Sequence, residues 1–166
     1  MAAKSRSARV LGRTLRMPGA LDRKGTRWML QALSPAPVLV LVHRGRKSGT
    51  LYKTPVEALI EDAECGRLVV SPMWGKDSDW YRNVVAGGLV EVHVRGEERQ
   101  VDWRELTDED ERRAAMHAYR DAHPIYSRMI LRMLAGVNGF EGDPEQAVLQ
   151  ELPMLELRRA PSHVPA

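Results

Sequence analysis

Residues Val38–Val56 read VLVLVHRGRKSGTLYKTPV, and the fold turns on how this stretch is read. An apolar, β-branched run, Val38–Val42, leads into Gly45-Arg46-Lys47-Ser48-Gly49, and the chain leaves through Tyr52, Lys53, Thr54, Pro55 and Val56. A short apolar run ending in a glycine-rich turn reads as a buried strand entering a tight reversal. The two glycines allow backbone conformations that other residues avoid and let a ligand approach closely. Arg44, Arg46, Lys47, Lys53 and the Ser48 hydroxyl surround the turn. Arginine forks onto oxyanions and lysine adds point charge, so the set suits phosphate or carboxylate. It also suits a solvated hairpin tip with basic decoration, and composition does not separate the two.

Outward from this stretch the pattern stays β-rich as far as Glu105. Strands are expected at 38–44, 51–60, 67–72, 89–95 and 98–105, with turns at Gly45–Gly49, Asp62–Gly66, Gly87-Gly88 and Gly96-Glu97. Val90, Val92 and Val94 alternate with Glu91, His93 and Arg95, as in a half-buried strand. Short strands joined by tight turns predict an antiparallel sheet or barrel. One helix interrupts them, capped by Asp77 or Ser78, with Trp80, Asn83 and Val84 on one face and Gly87 at its end. Thr107 is expected to cap a second helix, with Asp108–Glu111 set against the positive end of its dipole and Ala115, Ala118, Tyr119 and Ala122 as its buried stripe. Pro124 opens a third helix, Ile125–Ala135, stopped at Gly136, and Met154–Leu157 reads as a closing strand.

The chain of 166 residues suits one domain, with 43% hydrophobic and 28% charged residues, as in a soluble globular protein. The net charge of +3 is unevenly spread: residues 1–30 hold eight Lys/Arg and one acid, Asp22. That asymmetry suits an anionic cofactor, a lipid surface or RNA. Residues 5–33 read as one or two short helices broken at Pro18-Gly19, either packed on the barrel or a frayed tail, or a basic amphipathic surface resting on anionic lipid. The single cysteine, Cys65, excludes an internal disulfide. The five histidines have no metal-ligand spacing, so no metal is expected, although a site could assemble in space. No apolar run approaches the ~20 residues of a membrane span, and the basic N-terminus lacks the apolar core of a signal peptide. The expected location is the cytoplasm, with possible membrane association.

Several motifs lead nowhere. Gly136–Gly142 has the wrong spacing for a dinucleotide fingerprint, and Gly45–Thr50 is too short for a phosphate-binding P-loop. No GxSxG nucleophile elbow is present. The basic turn with Trp74, Trp80 and Tyr81 could mimic an RNA-binding face, but no recognition motif accompanies it, and nucleic acid is not expected as a partner.

The order strand, Gly-Arg-Lys-Ser-Gly, strand with Thr-Pro, hairpin, Asp-Trp-Tyr-Arg-Asn, Gly-Gly, strand resembles the deazaflavin-dependent nitroreductase family, from about Val38 to Tyr126. The resemblance implies an α+β, mainly β fold: a split β-barrel of about six antiparallel strands with flanking helices. It implies a basic helical segment at 1–34, the deazaflavin-binding barrel at 35–160 and a loose tail at 161–166. It also implies reduced deazaflavin coenzyme F420 as cofactor, with FMN less favoured, and hydride transfer to a quinone, enone or nitro compound.

In the same resemblance, Arg46, Lys47 and Ser48 hold the cofactor phosphate. Lys53, Thr54, Pro55 and Val56 line the next part of the groove, and Trp80, Tyr81 and Asn83 wall the ring. Met73 and Trp74 fall near ring-lining positions where smaller or basic residues are common, and Tyr52 stands where arginine is common. Tyr126 stands beside the substrate and could donate a hydrogen bond or proton to the reduced acceptor. A non-catalytic deazaflavin binder or store, an FMN- or haem-binding split barrel and an RNA-binding module are the alternatives, and the resemblance leaves monomer and homodimer open.

Overall fold

The computed structural model describes residues 34–160. The helices expected within 5–33 and the tail expected at 161–166 lie outside the described residues. The elements are β1 (Val38–Arg44), β2 (Leu51–Asp62), β3 (Arg67–Val70), α1 (Asp79–Asn83), β4 (Leu89–Val94), β5 (Glu97–Arg99), β6 (Val101–Glu105), α2 (Glu109–Ala122), α3 (Pro124–Asn138), α4 (Pro144–Glu151) and β7 (Leu155–Arg159).

The seven strands form one sheet in the order β5-β4-β1-β2-β3-β7-β6, with every pair antiparallel. The end strands, β5 and β6, are separated in sequence only by Gln100. A chain that leaves one end of the sheet and joins the other within one residue forces the sheet to curl, which gives the split barrel its shape. The expected strand 98–105 is therefore two strands, because Glu97–Arg99 pairs with β4 and Val101–Glu105 pairs with β7.

Alternation along the strands divides the core in two. Leu39 and Leu41 of β1, Val56 and Ala58 of β2, Leu68 and Val70 of β3, Val92 and Val94 of β4, and Leu155 and Leu157 of β7 fill the inside. Each buried Val or Leu among them is stabilised by about 1.5–3 kcal/mol relative to an exposed one. Val69 and Met154 face the other way and pack with Met116, Tyr119, Leu131 and Val148 from α2, α3 and α4. Among the described residues, no helix is long and apolar enough to cross a membrane.

Local boundaries depart from the sequence reading for identifiable reasons. Asp108, not Thr107, caps α2, since its carboxylate accepts the Glu111 N–H at 2.9 Å. Ala115 and Tyr119 are buried with Met116, but Ala118 and Ala122 are exposed. α3 runs through Gly136 and stops at Gly139, whose φ of 71° ends it in a left-handed cap. β3 stops at Val70, before Pro72, and β4 stops at Val94, where Arg95 and Gly96 turn at positive φ. β7 begins at Leu155 and runs to Arg159, two residues beyond the expected strand. α4 was not expected; Asp143 caps it by accepting the Gln146 N–H, and Pro144 opens it.

Candidate active site

The Gly45–Gly49 turn is closed by two backbone bonds, Gly45 N–H to Thr50 O and Gly49 N–H to Gly45 O, both 2.8 Å. A Cβ at Gly45 would lie 2.7 Å from Ser48 Oγ and 2.8 Å from the Tyr52 ring, so any larger residue at this corner must displace those two side chains. Ser48 Oγ accepts the Thr50 N–H at 3.3 Å, which makes the serine a turn former that still holds its own proton for donation.

α1 packs against the inner core through Trp80 and Tyr81 and reaches the turn through Asn83. Asn83 is buried at its end, and its Oδ1 accepts the Arg46 backbone N–H at 3.1 Å and Arg46 Nη1–H at 2.9 Å. Two donors on one side of the amide fix its orientation, so Nδ2 is the atom that donates to His43 Nδ1 at 3.2 Å. His43 Nδ1 is then unprotonated, and Nε2–H donates to Thr54 Oγ1 at 3.0 Å. The chain of bonds Arg46–Asn83–His43–Thr54 ties the turn to β1, β2 and α1. His43 is 2% exposed, and burial pushes its imidazole down to about 4 against the opposing pull of Asp79. Its ring stacks on Tyr52, with centroids 5.8 Å apart.

The four cations around the turn have different standing. Arg46 is engaged by Asn83 and by Asp79 at 3.3 Å. Arg44, Lys47 and Lys53 are exposed and make no ion pair among the described residues. In the antiparallel register Arg44 and Lys53 share one face of the β1–β2 pair, while His43, Tyr52 and Thr54 share the other. The groove set expected from sequence is thus divided: Lys53 and Pro55 point one way, and Thr54 and Val56 the other, with Val56 buried in the inner core.

Trp80 is half-buried against the inner core, edge-on to Tyr81 with centroids 6.3 Å apart. Tyr81 is buried, and its hydroxyl donates to Glu105 on β6 at 3.3 Å. Met73 is exposed, and its carbonyl accepts from Asn138 Nδ2 at 3.0 Å; Trp74 is half-buried and precedes a short 3₁₀ turn, Gly75–Asp77. The Ser78 hydroxyl, just before α1, is buried without a hydrogen-bond partner among the described residues.

Tyr126 meets β2 at Glu57, midway along the strand. Its hydroxyl donates to Glu57 Oε2 at 2.7 Å, Ser34 Oγ donates to the same oxygen at 2.7 Å, and Tyr119 donates to Glu57 Oε1. No Lys or Arg pairs with Glu57 among the described residues. Burial first, and then the Glu57 carboxylate, push the Tyr126 phenol up to about 12, while Ser34 opposes the shift. Tyr119 is pushed well above the ordinary tyrosine range by burial and by Glu57. His43, Asp79, Glu57 and Tyr119 were not expected as site residues, although Tyr119 stands in the expected buried stripe and Asp79 opens the Asp-Trp-Tyr-Arg-Asn motif. For His43 and Glu57 the available signal was polarity within a strand.

The set fits a phosphate-bearing planar cofactor: Lys47 and a hydroxyl on a locked turn, flanked on β1 and β2 by Arg44 and Lys53, three cations with no ion pair among the described residues, beside an aromatic helix start. The family model of F420H(2)-dependent quinone reductases matches residues 15–132. Two solved structures resemble the fold. An F420-H2 dependent reductase (FDR-A) is 21% identical, with a TM-score of 0.50 over 74% of this chain and 94% of that one. A domain-swapped dimer is also 21% identical, with a TM-score of 0.50 over 93% and 100% of the two chains. At these identities the two structures bear on the fold alone, and no curated protein matches. Because the family match covers most of the chain, the protein belongs to the F420H(2)-dependent quinone reductase family: it is an oxidoreductase, and its cofactor is reduced coenzyme F420.

Proposed function

We propose that the protein reduces a quinone, with Lys47, Arg44 and Lys53 holding the anionic part of the coenzyme and α1 bounding its ring. The observation that carries this reading is the division of labour at the turn. Arg46 is spent on Asn83 and Asp79, which fix the backbone, while the neighbouring cations have no carboxylate partner among the described residues. Apolar packing gives no reason for such cations, and an incoming phosphate does. When bound, the reduced deazaflavin supplies a hydride in a two-electron step. The chain's task is to orient the acceptor and keep the geometry of transfer.

Tyr126 serves that task as an orienting group. Its one proton is directed at Glu57, and a phenol pushed up to about 12 is a poor acid at neutral pH. The carbonyls of a quinone only accept, so the lone pair left on the Tyr126 oxygen meets the O–H of the hydroquinone as it forms. Conversion of a quinone to a hydroquinone takes up one proton besides the hydride, and in this reading that proton comes from solvent.

The test is a fluorescence titration with oxidised F420 and, in parallel, FMN, followed by turnover of reduced F420 with a short-chain quinone. Tight F420 binding that weakens roughly ten- to a hundredfold in Lys47→Ala, with FMN poor, is expected, since a charge-assisted bond contributes about 1.5–3 kcal/mol. Equal or better FMN binding, or no oxidation of reduced F420 by any quinone, overturns the reading. Faster turnover with an enone or a nitro compound reassigns the acceptor while keeping the cofactor.

A further inference from the structure

The β4–β5 hairpin carries a group of side chains that the reductase reading does not use. Glu91 and His93 are two residues apart on β4 and so share a face, and Glu98 stands opposite His93 on β5. His93 Nε2 lies 2.8 Å from Glu91 Oε1 and 3.6 Å from Glu98 Oε1, and one ligand atom from each residue falls within 4.8 Å of the others. The nearby arginines are spent elsewhere, Arg99 on Glu97 and Arg95 on Glu61. Neither Glu91 nor Glu98 has a Lys or Arg partner among the described residues. On the adjoining strand the register neighbours of Glu91 and His93 are Val42 and Val40, which offer no charge. Two carboxylates thus converge on one imidazole, which can neutralise one of them at most.

One imidazole nitrogen and two carboxylate oxygens are a ligand set for zinc and its divalent neighbours, with metal–ligand distances of about 2.0–2.2 Å. Ligands on a tetrahedron of that radius stand about 3.4 Å apart, and the observed 2.8 and 3.6 Å lie on either side of that spacing. The register fixes all three residues on adjacent strands, so only side-chain rotation separates them from coordinating geometry. We propose that Glu91, His93 and Glu98 bind a divalent transition-metal ion, with a fourth position open to water. The ion takes the place of the proton on His93 Nε2 and leaves the ring proton on Nδ1. β5 is an end strand of the sheet, so the ion fastens the sheet's edge by joining it to β4.

The test is titration of zinc alone into the full chain carrying Cys65→Ser, which removes the exposed thiol as a competing ligand. One ion per chain is expected, with binding weakened roughly tenfold or more in His93→Ala and in Glu98→Gln. The Glu98 side chain is 68% exposed, so its substitution leaves folding intact. Zinc should raise the melting temperature of the Cys65→Ser protein and leave that of its His93→Ala derivative unmoved. No binding at millimolar zinc, or binding unchanged in both variants, overturns the proposal.

Discussion

At the scale of single residues, the most informative side chain is His43. A histidine in an apolar strand invites a reading as a ligand or a base, but its bonds say otherwise. Nδ1 accepts from Asn83 and Nε2–H reaches Thr54, so the neutral ring is built into the scaffold of the cofactor turn. A ring held down to about 4 when folded and near 6.5 when unfolded makes stability pH-dependent in a definite direction. Between those values the unfolded chain binds the extra proton. The stabilisation is therefore complete above about pH 6.5, falls as pH drops through the window and is gone below about 4. Its size is on the order of 3 kcal/mol. Urea denaturation of wild type and His43→Gln across this range should show the wild-type advantage shrinking as the solution is acidified. A constant difference at all pH values would mean that His43 does not titrate as the network requires.

At the scale of elements, the connection from α1 into β4 decides where Asn83 sits. Val84–Gly88 forms a single π turn, and Gly87 leaves it at φ 80°. A Cβ on Gly88 would lie 2.6 Å from both Arg44 O and Asn83 O, which are backbone atoms that cannot swing aside. Gly88→Ala should cost about 1–3 kcal/mol and should also weaken F420 binding, because relief of the clash moves Asn83 away from Arg46. Gly87→Ala meets open space and carries only the left-handed backbone penalty of about 1–2 kcal/mol, with cofactor affinity kept. Chemical denaturation with parallel F420 titration separates the two, and equal loss of affinity in both variants would detach Asn83 from the cofactor turn. Elements of this kind were legible because their signals are local: glycine at a reversal, alternation in β4, acids at the head of α2. The split of 97–105 was not, since only pairing to opposite ends of the sheet breaks it. The Glu57–Tyr126 bond joins residues 69 apart in sequence, and no spacing rule announces it. Asp108 displaced Thr107 as cap because both can cap and the sequence offers no way to choose between neighbours. Tyr81 belongs to a buried face of α1 that a five-residue helix is too short to reveal by periodicity.

At the scale of the whole molecule, the barrel is held shut by a charge cluster on its outer side. Glu156 sits in β7, between β3 and β6, with its side chain fully buried. Arg67 of β3 donates to it at 2.7 Å and Arg104 of β6 at 3.2 Å, and Arg158 of β7 completes the set. Arg104 also reaches Glu111 with two bonds of 2.8 Å, so the cluster ties α2 to the sheet. Burial alone would push the Glu156 carboxyl up, yet bonds from Arg158, Arg67 and Arg104 outweigh it and hold the group at about 2. The folded value lies below the unfolded one near 4.5, so this stabilisation is present above about pH 4.5 and lost as pH falls through about 2. A neutral amide in its place leaves three guanidinium groups facing one another. Removing one partner of a buried pair costs about 3–5 kcal/mol, and Glu156→Gln should fall within or near that range at pH 7, as measured by urea denaturation. The cluster sits beside the Asp62 end of β2, and the cofactor turn lies at its Leu51 end. The folded fraction of the variant should therefore bind F420 with wild-type affinity. Loss of affinity without loss of stability would place Glu156 in a coupling between the two ends of the barrel that its hydrogen bonds do not provide.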